Sequence, residues 1–445
     1  MKLWDKGYSL DEKIERFTVG NDRRLDLLLA PYDILGTIAH TTMLQAAGLL
    51  TQEELDKLLP ALRALYKGAE EGRFVIEDDI EDVHSEVELL LTRQLGDTGK
   101  KVHTGRSRND QILLDLKLFT RAAIEHTVGL MERLFRTLQQ KSEQYKDLLM
   151  PGYTHLQVAM PSSFGLWLGA YAESLTDDMR WMRTAFDTAN LNPLGSAAGY
   201  GSSAPLDRTM TTRLLGFADL NYNSVYAQLT RGRMERAVAF AYASTAETMG
   251  RLAADCCLFN SQNFAFLRLP DNLTTGSSIM PHKKNPDVFE LIRAHCNRLN
   301  GIPESIRLIT TNLPSGYFRD MQLLKEVYLP LFEEADSCLD LLNYAVANME
   351  VREGLMQQPL YQTAFSVEEV NRRAAEGTPF RDAYKAVAQE IADGTFRWSG
   401  TLRHTHEGSI GNLCNRQIAD RMDELTAGFP FAAIHKALAT LAGTC

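Results

Sequence analysis

The run Thr274-Thr275-Gly276-Ser277-Ser278-Ile279-Met280-Pro281-His282-Lys283-Lys284-Asn285-Pro286 gathers groups that can handle an anion. Gly276 leaves the backbone free to move. Pro281 and Pro286 stiffen the other half. Adjacent lysines beside a mobile polar loop suit the capture of an anionic substrate that the loop then covers. A second run, Lys101-Val102-His103-Thr104-Gly105-Arg106-Ser107-Arg108-Asn109-Asp110-Gln111, sets two arginines, two hydroxyls and an amide just before a long helical pattern. Arginine grips a carboxylate through two parallel hydrogen bonds, and a helix N-terminus adds N–H donors and partial positive charge. A third run, Met150-Pro151-Gly152-Tyr153-Thr154-His155-Leu156-Gln157, reads as a turn between two helices. It carries an imidazole, the natural proton shuttle near neutral pH, on the kind of segment where functional side chains gather.

These groups need elements to hold them, and proline spacing indicates which. No proline falls between Pro60 and Pro151 or between Pro205 and Pro270. From Asn109 to Leu149 the apolar residues recur at helical spacing, which predicts a helix about 60 Å long. A second helix is predicted after Pro161, capped by Ser162 or Ser163 and running to about Asn190. A third spans Thr230 to Asn260. Its Ala, Ser and Gly residues allow close helix approach, as in the middle of a bundle or between subunits. A fourth begins near Asp287, and a fifth covers Lys325 to Ala347, with Pro330 marking a kink or a false start. Strand signals are few; Arg73-Phe74-Val75-Ile76 is the clearest. The fold class is therefore all-α. Residues 1–107 are read as an N-terminal helical domain, 108–350 as a central bundle of long helices, and 351–445 as a small C-terminal helical domain.

Bulk properties narrow the function. The 445-residue chain is 44% hydrophobic, enough for a large core, and its net charge of −10 argues against general nucleic-acid binding. Six cysteines without framework spacing read as reduced thiols of a cytoplasmic protein. No secretion signal is visible in the first residues, and no run approaches ~18 uninterrupted apolar residues, so no membrane span is expected.

The three runs also resemble known motifs. Gly276-Ser277-Ser278-Ile279-Met280-Pro281 with Lys283, Asn285 and Pro286 resembles the GSSxMPxKxNP signature of the fumarase/aspartase superfamily. His103-Thr104-Gly105-Arg106-Ser107-Arg108-Asn109-Asp110-Gln111 resembles the HTGRSRNDQ run of its argininosuccinate lyase and delta crystallin branch. Phe17-Thr18 with Asp22-Arg23-Arg24-Leu25, the Glu81-Asp82-Val83-His84 stretch, Asn192 to Ser196, and Tyr317, Asp320 and Gln322 extend the likeness from residue 17 to about 387.

The resemblance implies a three-domain fold whose central helices join those of three other subunits in a homotetramer with shared active sites. It implies reversible β-elimination of argininosuccinate to fumarate and L-arginine, as in arginine biosynthesis, with no metal or other cofactor. It assigns Ser277, His155, Glu290 and Lys283 to catalysis, with the Glu290 carboxylate holding the His155 ring. Thr18, Asp22, Ser107, Arg108, Asn109, Thr154, Asn285, Tyr317, Arg319 and Gln322 are assigned to substrate binding, Asp22 near the substrate amino group. A serine hydroxyl is a poor base unless cationic groups and backbone donors lower its pKa, which loop closure can achieve at Ser277.

The departures are specific. Arg319 stands where the family has Lys, His282 where it has Gln, and Thr230-Arg231-Gly232-Arg233 where it has an SDRD-like element. They bear on recognition of the arginine part of the substrate. Two other readings compete: a fumarate-releasing lyase for adenylosuccinate, aspartate or malate, and a silent crystallin-type protein. The HTGRSRNDQ-like run opposes the first, and survival of Ser277, His155, Lys283 and Glu290 opposes the second. His404-Thr405-His406 lacks a third ligand at metal-binding spacing.

Overall fold

A computed structural model describes residues 11–444. Five helices make the body: Arg108–Gln144, Phe164–Ala189, Arg233–Asn260, Asp287–Asn300 and Leu323–Asn348. The first has 37 residues, about 55 Å of rise. It starts at Ser107, whose hydroxyl accepts from Asn109 N while Asp110 accepts from Ser107 N, a reciprocal cap. The second starts where Ser163 Oγ accepts from Leu166 N at 3.0 Å. Pro330 lies inside the fifth.

The 108–144 helix is shorter than its periodicity predicts. It stops at Gln144 because Leu149–Thr154 leaves it to pair antiparallel with Gln157–Ser163. Pro151 lacks the N–H a helix needs, and Tyr153 packs edge-on against Phe264, 5.3 Å between ring centres. The expected helix-to-helix turn at Pro151–Thr154 is thus a strand. The turn proper is His155–Leu156, with φ of 54° and 57°. That is the twist a two-residue hairpin demands, met here without glycine. The expected strand at 73–76 is also absent. These residues lack a pairing partner, and Val75 points to solvent while Ile76 is buried.

Two cores dominate. The larger fills the bundle, joined by Met422 and Ile434 from the C-terminal helices and by Phe429 between them. The second lies among Ala30–Ala46, Gln52–Glu70 and Val83–Leu95 and also takes in Leu441 and Ala442. Val370, Ala383, Val387 and Phe396 form a third, small core. The segment 415–442 is apolar enough by composition to cross a bilayer. It is broken into Asn415–Ala427 and Phe431–Ala442, with Pro430 between them, and both helices pack on the protein.

Candidate active site

Where the 108–144 helix begins, a cleft of about 200 Å³ opens. Asp22, Arg108, Asn109, Tyr317, Arg319 and Gln322 line it, all expected from the sequence. Arg108 faces the cleft. Arg106 is buried instead, donating to Thr37 Oγ1 at 3.0 Å. Ser107 serves as the helix cap and does not line the cleft. The turn at Asn192–Ser196 is fixed to the same cap, since Asp110 Oδ2 accepts from Gly195 N and Ala197 N at 2.9 Å each.

The charges in the cleft are closely matched. Lys325 Nζ lies 2.7 Å from both Asp22 Oδ1 and Asp26 Oδ1. Burial opposes its charge, but Asp26 and Asp22 outweigh that and raise its pKa. One ammonium serves two carboxylates, and the shortfall appears at Asp22. Burial raises the Asp22 pKa to about 6, Lys325 opposing and Asp26 adding. Arg319 bridges Glu81 Oε1 at 2.5 Å and Thr18 O at 2.8 Å. Gln322 Nε2 also donates to Thr18 O, at 2.8 Å. Thr18 therefore enters the site through its carbonyl, because its hydroxyl turns back to Ile14 O. Arg108 reaches Glu81 and Asp82 at 3.3 Å each. Burial would raise the Glu81 pKa, but the hydrogen bond from Arg319 and the charge of Arg108 leave it lowered.

His84 forms one wall. Its Nδ1 lies 2.7 Å from Asp33 Oδ1 and 3.6 Å from Asp115 Oδ2. Burial would lower its pKa, but Asp33 raises it to about 9 with help from Asp115 and Asp82. Among the described residues Asp33, His84 and Asp115 form the one cluster with ligand atoms close enough for a metal. A ring protonated at Nδ1 toward Asp33 is an ion-pair partner rather than a ligand.

Sequence reasoning missed Lys325, Arg231, Glu81 and His84 as cleft residues. Arg231 is buried, pairs with Glu235 at 2.8 Å and donates to Met321 O at 2.8 Å. A usable signal was present at Lys325, a lysine in an apolar helix, matched by Asp22 and Asp26 one helical turn apart.

The other expected residues lie at the opposite end of the bundle. The 108–144 helix separates Arg108 and Asn109 from the hairpin that carries Thr154 and His155. The 287–300 helix runs back along 233–260. Near its C-terminal half a Cβ at Gly250 would meet Cys296 Cβ at 3.1 Å, while at its start Glu290 and Arg293 lie near Cys257. Glu290 and the preceding loop therefore belong to the hairpin's end. That loop is closed by paired backbone bonds between Thr275 and Asn285, 2.9 and 3.2 Å. Asn285 Nδ2 donates to Gly276 O at 3.4 Å. Ser277 Oγ accepts from Met280 N at 3.1 Å and Ile279 N at 3.4 Å. Two such donors would stabilise a developing alkoxide. His155, Lys283 and Glu290 are exposed. No hydrogen bond joins His155 to Glu290 among the described residues. His404 is tied to Glu368 at 3.0 Å.

Residues 10–301 match a family model described as lyase. Argininosuccinate lyase of Bacteroides fragilis is 60% identical over 442 residues, covering 99% of each chain. That of Thermotoga neapolitana is 38% identical over 87% of this chain and 98% of its own. In fold, the chain is similar to EDDS lyase in complex with formate, with TM-score 0.77, 23% identity and coverage of 98% and 95%. It is also similar to class II fumarase from Schistosoma mansoni, with TM-score 0.71, 17% identity and coverage of 94% and 95%.

Proposed function

The chain belongs to the argininosuccinate lyase family, and on that premise we infer that it cleaves N-(L-arginino)succinate reversibly to fumarate and L-arginine, a step of arginine biosynthesis. The observation that carries this reading is the 60% identity across 99% of both chains.

The reaction removes a proton from the succinyl carbon next to a carboxylate and breaks the bond to the guanidinium nitrogen, which leaves with a proton. Ser277 is the proposed base. Its hydroxyl already accepts two backbone N–H groups, which favours the charged form. Proton loss builds a dianionic aci-carboxylate, for which Lys283, Asn285 and the start of the 287–300 helix supply neutralising donors. His155 orients the substrate or serves the leaving nitrogen, and Glu290, which makes no hydrogen bond to it among the described residues, is its proposed partner once the site is complete. The arginine part lies against Asp22, Asn109, Tyr317, Arg319 and Gln322; Thr18, Arg108 and Thr154 complete the binding set, and Ser107 serves it as the cap that fixes Arg108 and Asn109 at the helix start.

In this reading the site is assembled from several chains of a homotetramer. Its support is the separation of the two residue sets by a helix of about 55 Å. Further support is the exposed apolar residues Trp181, Phe240 and Leu291 on bundle helices. Reduced cysteines fit a cytoplasmic setting.

The test is fumarate absorbance on incubating pure protein with argininosuccinate, with adenylosuccinate and aspartate as controls. Release is expected from argininosuccinate alone and at an unchanged rate in a chelator. The cleft carboxylates are already engaged by Lys325, Arg108 and Arg319. Strict dependence on an added divalent ion would overturn the metal-free reaction, and release from a control substrate alone would overturn the substrate.

A further inference from the structure

A second cavity, of about 430 Å³, lies where four helices meet: Ala30–Ala46, Gln52–Glu70, Arg208–Leu214 and Phe431–Ala442. It shares no lining residue with the reaction cleft. Its floor is apolar, built from Ile38, Leu59 and Leu441, and its rim carries Arg63, Arg213 and Lys436. No aspartate or glutamate lines it.

The three cations are poorly satisfied. Arg213 and Lys436 are exposed, and neither side chain makes a hydrogen bond or ion pair among the described residues. Arg63 donates from Nη2 to Leu441 O at a long 3.4 Å, and its Nε is buried without an acceptor. Lys57 and Arg307, by contrast, find carboxylates at Glu53 and Glu304. Three like charges around one cavity repel, and an anion between them removes that repulsion. Two guanidinium forks favour a carboxylate or phosphate head group. The apolar floor favours a ligand that carries more than a head group, and the volume is that of a small-molecule pocket.

We propose that this cavity binds a small amphipathic anion: a carboxylate or phosphomonoester on an apolar body, the head group between Arg63, Arg213 and Lys436 and the body on Ile38, Leu59 and Leu441. Such a ligand would clamp the C-terminal helix onto the N-terminal core. The 30–46 helix beneath it also carries Asp33, the partner of His84 in the reaction cleft.

The test is titration calorimetry on the full-length protein with octanoate and octyl phosphate, and with octylammonium and acetate as controls. Saturable binding of one octanoate or octyl phosphate per chain is expected, and the tighter of the two identifies the head group. Arg213→Ala with Lys436→Ala should weaken it at least tenfold while leaving fumarate release unchanged, and Arg213→Lys with Lys436→Arg should retain it. Both positions are exposed, so the variants should fold. Equal affinity in the double alanine variant, binding of octylammonium as tight as octanoate, or no saturable binding at millimolar ligand would each overturn the proposal.

Discussion

The two ends of the bundle treat their polar groups in opposite ways. At the start of the 108–144 helix, Lys325, Arg108 and Arg319 are matched within one chain to Asp22, Asp26, Glu81 and Asp82. At the other end Thr154, His155, Lys283 and Glu290 are exposed. His155 and Leu156 also hold left-handed backbone at φ of 54° and 57°, a conformation that costs a non-glycine residue about 1–2 kcal/mol. The first end is preorganised by its own ion pairs. The second is exposed and strained, and in the proposed reading substrate, loop closure or another chain completes it. Strain and unpaired groups are tolerated where a partner supplies the compensation.

The sharpest way to break this comparison is Ser277→Ala. The change keeps the loop's size but removes the hydroxyl that accepts from Ile279 N and Met280 N. Turnover should fall by about a thousandfold or more while substrate still binds, as for a group acting mainly in the transition state. Single-turnover fumarate release beside calorimetric binding checks it, and near-normal turnover would pass the role of base to Ser278 or His155. Subunit mixing sharpens the same point. Inactive His155 and Ser277 variants should regain part of the activity after exchange if the exposed end is completed by another chain. A fully active monomer in light scattering would contradict shared sites.

At the matched end the expected loss is in stability. Lys325→Met leaves Asp22 and Asp26 without their common ammonium in a buried setting. Removing one partner of such a set costs about 3–5 kcal/mol. Denaturant unfolding should show that loss, and the double variant with Asp26→Leu should recover part of it. A neutral Lys325→Met would mean that the ion cluster does not hold this end together.

Much of this was legible in the sequence because long helices write themselves plainly. Proline-free stretches and helical spacing gave all five bundle helices, and Ser163 and Pro286 marked two of the starts. The hairpin was hidden because its turn uses His155 and Leu156 where Asn-Gly would have announced it. The matched end was half legible. Arg108 and Asn109 stand in a contiguous run, but the residues that set their charge come from elsewhere in the chain. Glu81 and Arg319 are 238 positions apart, and Asp26 and Lys325 are 299 apart. Periodicity reads which helix face is buried, but it does not read which distant carboxylate will meet that face.

The smallest expected effect concerns His84. Asp33, Asp115 and Asp82 face it as anions or potential anions, and Arg106 and Arg108 share the neighbourhood as cations. Its pKa is raised from an ordinary 6.5 to about 9, burial opposing and Asp33 prevailing. A group whose folded pKa lies above its unfolded value binds its proton more tightly in the native state. Its contribution is therefore fully present below pH 6.5 and is lost as pH rises through about 9. That shift corresponds to about 3 kcal/mol. Denaturant midpoints measured across this window should fall with pH in the parent protein, and the slope should flatten in His84→Gln. If the exposed end governed alkaline stability instead, His84→Gln would leave the slope intact and a Lys283 variant would change it.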